Sequence, residues 1–173
     1  MQPNDPHAAQ RTLNRTRYAI EDWYDASRSL RISAFGNFLL ACFVTAGLLS
    51  GAENLPHVIA AVFTGAGVLA FPRLFPLARV HSLPLLLGLY LAAVGGEYTL
   101  AGLPEPPLPG FTVENGWAGF LPFANSLSPL VYLILRTGLV YPIVHALLKR
   151  RSLAREPIST LRQLDPGLAG QLE

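Results

Sequence analysis

Residues 129–151 read PLVYLILRTGLVYPIVHALLKRR, and this stretch decides the fold class. Its first twenty residues, 129–148, hold one formal charge, Arg136, and run into three consecutive bases, Lys149, Arg150 and Arg151. At about 1.5 Å of rise per residue, twenty helical residues cover about 30 Å, the thickness of a bilayer hydrocarbon core. Ser128–Pro129 is a good helix start, a capping residue followed by proline at the first helical position.

Working back toward the N-terminus, the same pattern recurs three times. Residues 83–103 form an apolar run with Pro84 in the first turn, residues 55–77 another with Pro56 near its start, and residues 33–51 a third with no formal charge. The chain as a whole is 51% hydrophobic with only 14% charged residues, against about 25% charged in a soluble domain. The expected fold is therefore an all-α integral membrane protein: a four-transmembrane-helix bundle with spans at 33–51, 55–77, 83–103 and 129–148. The 173 residues leave no room for a further soluble catalytic domain.

Outside the spans, residues 1–32 read as a cytoplasmic or interfacial amphipathic helix that opens at Asp5–Pro6. Leu13, Ile20, Trp23, Ser27 and Leu30 share its mildly apolar face. Its polar residues include acids as well as bases, so it is neither a signal peptide nor a nucleic-acid arm. The segment after residue 103, Pro104-Glu105-Pro106-Pro107-Leu108-Pro109-Gly110, is a stiff extended loop. It is followed by an aromatic stretch expected to form a short interfacial or re-entrant element in the external loop between spans three and four. Residues 149–173 form a basic cytoplasmic tail.

The charges orient the bundle. Of 13 Lys and Arg, five precede residue 33 (Arg11, Arg15, Arg17, Arg28, Arg31), two lie between spans two and three (Arg73, Arg79), and five follow span four (Lys149, Arg150, Arg151, Arg155, Arg162). The other two loops carry Glu53, Glu105 and Glu114 and no base. The positive-inside rule then puts both termini in the cytoplasm, and the pattern together with the use of Arg over Lys points to a bacterial inner (plasma) membrane.

A charge deep in a span is a functional-site hypothesis by default. Arg136 lies about seven residues into span four and Glu97 about seven before Pro104, so an intramembrane polar pair Glu97–Arg136 is geometrically open. Asn37, Tyr98, Asn125 and Tyr132 are candidates to extend it into a network. His81 and His145 flank spans three and four on the inner side and are a candidate pair for haem or chlorin, although no cofactor is the plainer reading. His57 has Glu53 four residues before it, a cap-like pair. Trp23, Tyr24, Phe111, Trp117, Phe120 and Phe123 are candidates for a partner-binding surface.

Several chemistries are not written in the sequence. The one cysteine, Cys42, allows neither an intrachain disulfide nor a cysteine metal cluster. The Gly95-Gly96 pair lacks the lysine and serine of a phosphate loop, and no Gly-x-Ser-x-Gly elbow occurs. No nucleic-acid partner is expected; the bilayer and other membrane subunits are. The leading functional expectation is a noncatalytic accessory, scaffold or assembly subunit of a larger inner-membrane complex, more a non-enzyme than an enzyme. A small oligomeric transporter or channel using Glu97 and Arg136 is the first alternative, and a haem- or chlorin-binding subunit the second.

Overall fold

The computed structural model describes residues 6–49, 54–104 and 129–172. Among these the regular structure is all helix, with no strand: α1 (Pro6–Leu49), α2 (Leu55–Leu74), α3 (Ser82–Ala101), α4 (Pro129–Gly138), α5 (Tyr141–Leu153), α6 (Ile158–Leu164) and α7 (Pro166–Leu172). Three stretches are long and apolar enough to cross a membrane: Leu55–Leu74, Ser82–Ala101 and Leu130–Leu153. The last of these is α4 and α5 end to end.

Helix α1 departs from the expected division at residue 32. It runs unbroken through 44 residues, about 66 Å at the standard rise and roughly twice the hydrocarbon thickness. Nothing in the sequence interrupts it, because the first glycine after Pro6 is Gly36 and the next proline is Pro56. At residue 32 the polarity changes and the backbone preference does not.

The other helix ends have local causes. α2 stops at Leu74, short of residue 77, because Phe75 is extended (φ −131°, ψ 119°) ahead of Pro76. A residue before proline is pushed out of the helical region. α3 stops at Ala101, where Gly102 takes φ 71°, a conformation cheap only for glycine.

The final span is not one regular helix. Pro142 has no N–H to offer the turn before it, and the helix tightens there: Val140 N–H donates to Thr137 O at 3.1 Å and Ile143 N–H to Val140 O at 3.0 Å. The carbonyls of Arg136 and Leu139 thereby lose their regular i+4 donors. Tyr90 OH donates to Arg136 O at 3.0 Å, and Ser33 OH donates to Leu139 O at 2.7 Å. The break is thus held by side chains from α3 and α1, as a proline-interrupted span requires. Beyond it α5 continues to Leu153, five residues past the expected end at 148, so the Lys149-Arg150-Arg151 run is helical.

α1 packs along α2 and α5, and α3 along α2 and α5. Two glycines allow this closeness. A Cβ on Gly65 would sit 3.0 Å from Ala34 O, and one on Gly36 would collide with the Leu139 side chain. The buried row of α2 is His57, Ala61, Thr64, Gly65, Val68 and Phe71, and that of α3 is Ser82, Leu83, Leu86, Tyr90, Val94 and Glu97. Both follow the three-and-four spacing of a packed helix face. The outward faces carry Ile59, Phe63, Leu69, Leu85, Leu89, Leu91 and Ile134, all exposed. Apolar side chains outside and polar ones within is the arrangement that lipid imposes and water does not.

Below the bundle the order is that of a soluble fold. Trp23, only 3% exposed, shares one core with Leu153, Leu161, Leu168 and Ala169. α6 and α7 fold back on the N-terminal half of α1, tied by Arg15 and Thr16 to Glu156, Tyr24 to Asp165, and Lys149 to Asp22. Asp165 also caps α7, accepting from Leu168 N–H at 2.9 Å ahead of Pro166.

Candidate functional site

Five side chains from three elements form one cluster around the Glu97 carboxylate, three of them bonded to it directly. α3 delivers Glu97 at the end of its buried row, two turns beyond Tyr90. α2 delivers His57 from its first turn and Thr64 seven residues later on the same face, with the small Ala61 between them. α4 delivers Tyr132 and Arg136, one turn apart and both fully buried.

Glu97 is saturated. Its Oε2 accepts from Arg136 Nε at 3.0 Å and from Arg136 Nη2 at 2.9 Å. Its Oε1 accepts from Tyr132 OH at 2.8 Å and pairs with His57 Nδ1 at 2.9 Å. With two partners on each oxygen, the acceptor capacity of a carboxylate is filled. His57 donates here when its proton is on Nδ1; with that neutral tautomer, the carboxylate and guanidinium charges cancel and the group is neutral as a whole.

The network extends from Arg136 in two directions. Nη2 also donates to Thr64 Oγ1 at 3.0 Å, and Thr64 passes its own proton to Ala60 O at 2.6 Å. The guanidinium lies 5.9 Å from the Tyr90 ring centroid, within cation–π reach. Tyr90 OH in turn accepts from Asn37 Nδ2 at 3.3 Å, and Asn37 Nδ2 also donates to Ser33 O at 2.7 Å. Among the described residues, Arg136 Nη1 and Tyr98 OH are buried side-chain atoms with no hydrogen-bond partner.

Of the residues singled out in the sequence, Glu97, Arg136 and Tyr132 are in direct contact, and Asn37 joins through Tyr90. Tyr98 lies against the same core without bonding to the network. Asn125, Phe111, Trp117, Phe120 and Phe123, with Glu53 and the aromatic element of the external loop, lie outside the described residues. His81 is exposed in the turn before α3, whereas His145 stacks on Tyr141 with centroids 5.8 Å apart. Among the described residues no three His, Cys, Asp or Glu side chains gather as a metal site. Trp23 is buried by its own chain and Tyr24 donates to Asp165 at 2.6 Å, so both are engaged within the molecule.

His57, Thr64, Tyr90 and Ser33 belong to the site without having been singled out for it. The signal for His57 was present: positions 57, 61, 64, 68 and 71 repeat at four and three, which places the histidine on the core face and not at a cap. Ser33 and Tyr90 are needed because the tightened turns around Pro142 free the carbonyls of Arg136 and Leu139, and that demand is invisible until the helices are packed.

No family model matches the chain, and neither does any curated protein or solved structure.

Proposed function

We propose that the chain is a noncatalytic accessory, scaffold or assembly subunit of a larger inner-membrane protein complex. The observation that carries this reading is the saturation of Glu97. The intramembrane acid is 6% exposed and has every acceptor position filled by protein donors, so it offers no open coordination to a passing ion or substrate. A cluster of this kind locks α2, α3 and α4 in register, a fixed platform on which other subunits pack.

In this reading the uncharged second half of α1, residues 33–49, is a fourth crossing beside the three apolar stretches. The bases Arg28, Arg31, Arg73, Arg79, Lys149 and Arg150 then share the cytoplasmic side, where the positive-inside rule puts them. The polar lobe formed by the start of α1 with α6 and α7 projects into the cytoplasm, and the external aromatic segment beyond Pro104 faces the opposite compartment. Partner subunits cover part of the exposed Leu and Phe surface.

The test is purification of the native protein in a gentle detergent, with mass spectrometry and an absorption spectrum on the same fraction. Reproducible co-purifying membrane subunits and no visible band are expected. A haem or chlorin band would replace this reading with a cofactor role for His81 and His145.

One observation favours a second reading, a small oligomeric transporter or channel. Arg136 Nη1 and Tyr98 OH are buried donors without acceptors among the described residues, and a bound water or ion is one explanation of such groups. A lone homo-oligomer whose flux in proteoliposomes is abolished by Glu97→Gln would establish that reading over the first.

A further inference from the structure

A groove of about 780 Å³ runs between α1 and α2, and neither Glu97 nor its direct partners line it. Its α1 wall carries Arg28, Arg31, Phe35 and Phe38, and its α2 wall includes Leu69 and Arg73. On α1 the intervals are three, four and three, a single stripe on one helix face. α2 runs the other way, and its Gly65 meets Ala34 and Phe38 of α1, which brings Leu69 near the level of Leu30 and Arg31 and sets Arg73 one turn further toward Arg28. The groove therefore grades from basic at one end to apolar at the other. From Arg31 to Phe38 is about 10 Å of helix rise.

The basic end is short of anions. Arg31 and Arg73 make no hydrogen bond or ion pair with a described residue, and the one ion pair of Arg28 is a loose surface contact to Asp25 at 3.9 Å. All three arginines are exposed, as is Phe35. Three guanidinium groups at the mouth of an apolar groove call for a ligand with a phosphate at one end and a hydrocarbon chain at the other. Arginine suits the phosphate because its planar donors match phosphate oxygens. The apolar walls exclude a hydrophilic acidic peptide.

We infer that this groove is a binding site for an anionic glycerophospholipid, with its phosphate on Arg28, Arg31 and Arg73 and an acyl chain along Phe35, Phe38 and Leu69. The site sits where α2 leaves its apolar stretch, the depth at which basic pockets between membrane helices hold anionic headgroups. The inference rests on the reading of α1 and α2 as adjacent membrane helices and not on the accessory role, so either can fail without the other.

The test uses the full chain in detergent, titrated with phosphatidylglycerol or phosphatidylcholine of identical acyl chains and followed by native mass spectrometry. At about 150 mM salt, phosphatidylglycerol is expected to be retained at least about tenfold more tightly, given the attraction each base exerts on an anionic headgroup. Arg31→Gln with Arg73→Gln, both on the surface, should bring that preference down to about threefold, the share left to Arg28. Arg155→Gln, an exposed base in the tail, should leave it unchanged. Arg28→Gln alone serves if the double variant does not fold, and should reduce the preference by about threefold. Equal retention of the two lipids by the unaltered protein would overturn the inference, as would a preference left undiminished by loss of the arginines. Glycerophosphate competing as well as the intact lipid would also overturn it, because the groove would then be reading a free anion.

Discussion

The molecule carries two sets of long-range polar contacts, and they sit in opposite surroundings. In the bundle, Glu97 and Arg136 have side chains with 0% exposure and are wrapped by His57, Tyr132 and Thr64. In the lobe, Lys149 meets Asp22 at 2.6 Å with side chains 35% and 58% exposed, and Arg15, 66% exposed, meets Glu156, whose side chain is 8% exposed. The bond lengths are alike and the energetics are not. A surface ion pair contributes about 0–1 kcal/mol because water solvates either partner when the other leaves. In the bundle nothing replaces a lost partner, so each member is costly to remove even though the pair adds little net stability over an apolar substitute. The bundle contact therefore specifies one arrangement of the helices, while the lobe contacts trim an arrangement already set by the packing of Trp23, Leu153, Leu161 and Leu168.

Mutations should separate the two regions, and the largest effect is expected in the bundle. Arg136→Leu leaves Glu97 buried with half of its partners and should cost about 3–5 kcal/mol of stability, read as an earlier unfolding transition in detergent. Tyr132→Phe removes one of the four hydrogen bonds to Glu97 while preserving the ring and should cost about 1 kcal/mol. In the lobe, Glu156→Gln weakens the contacts to Arg15 and Thr16 and should cost about 0.5–1 kcal/mol. Salt sharpens the contrast. At about 1 M, where the Debye length is about 3 Å, the Glu156→Gln effect should shrink and the Arg136→Leu effect persist. If both respond to salt alike, the bundle pair is reached by water.

The smallest effect is a pH dependence in the lobe. The hydrogen bond from Tyr24 to the Asp165 carboxylate holds the phenol above its ordinary pKa of 10.0, with partial burial and the aspartate charge acting in the same direction. A raised pKa in the folded state means that this contact contributes fully below pH 10 and is lost as pH rises through the folded value. A titration of the Tyr24 ring carbon by NMR should show the shift, and Asp165→Asn should return it toward the ordinary value. An unchanged titration in that variant would mean that the hydrogen bond does not cause it.

The sequence disclosed these regions unequally, for physical reasons. Apolar runs bounded by prolines and bases show where helices are long and apolar enough to cross a membrane, since lipid leaves few other solutions. Counting residues inward from Pro104 and Pro129 puts Glu97 and Arg136 at like depth, and the two are in contact. At Ile32 polarity switches inside one continuous α1, because helix geometry is indifferent to what surrounds it. The break before Pro142 falls inside the run read as one span, 129–148, and its demand on Ser33 and Tyr90 appears only once the helices are packed. The docking of α6 and α7 on α1 rests on contacts more than 100 residues apart in the chain, such as Tyr24 with Asp165, and no local pattern announces those.

The most direct measurement is a double-mutant cycle on Glu97 and Arg136 in a lipid nanodisc, with Glu97→Leu, Arg136→Leu and both together, each followed by its unfolding transition. If the pair is a structural clamp, the double variant recovers part of the loss seen in Arg136→Leu, because no uncompensated charge is left in the bundle. A double variant no more stable than the worse single would contradict the clamp.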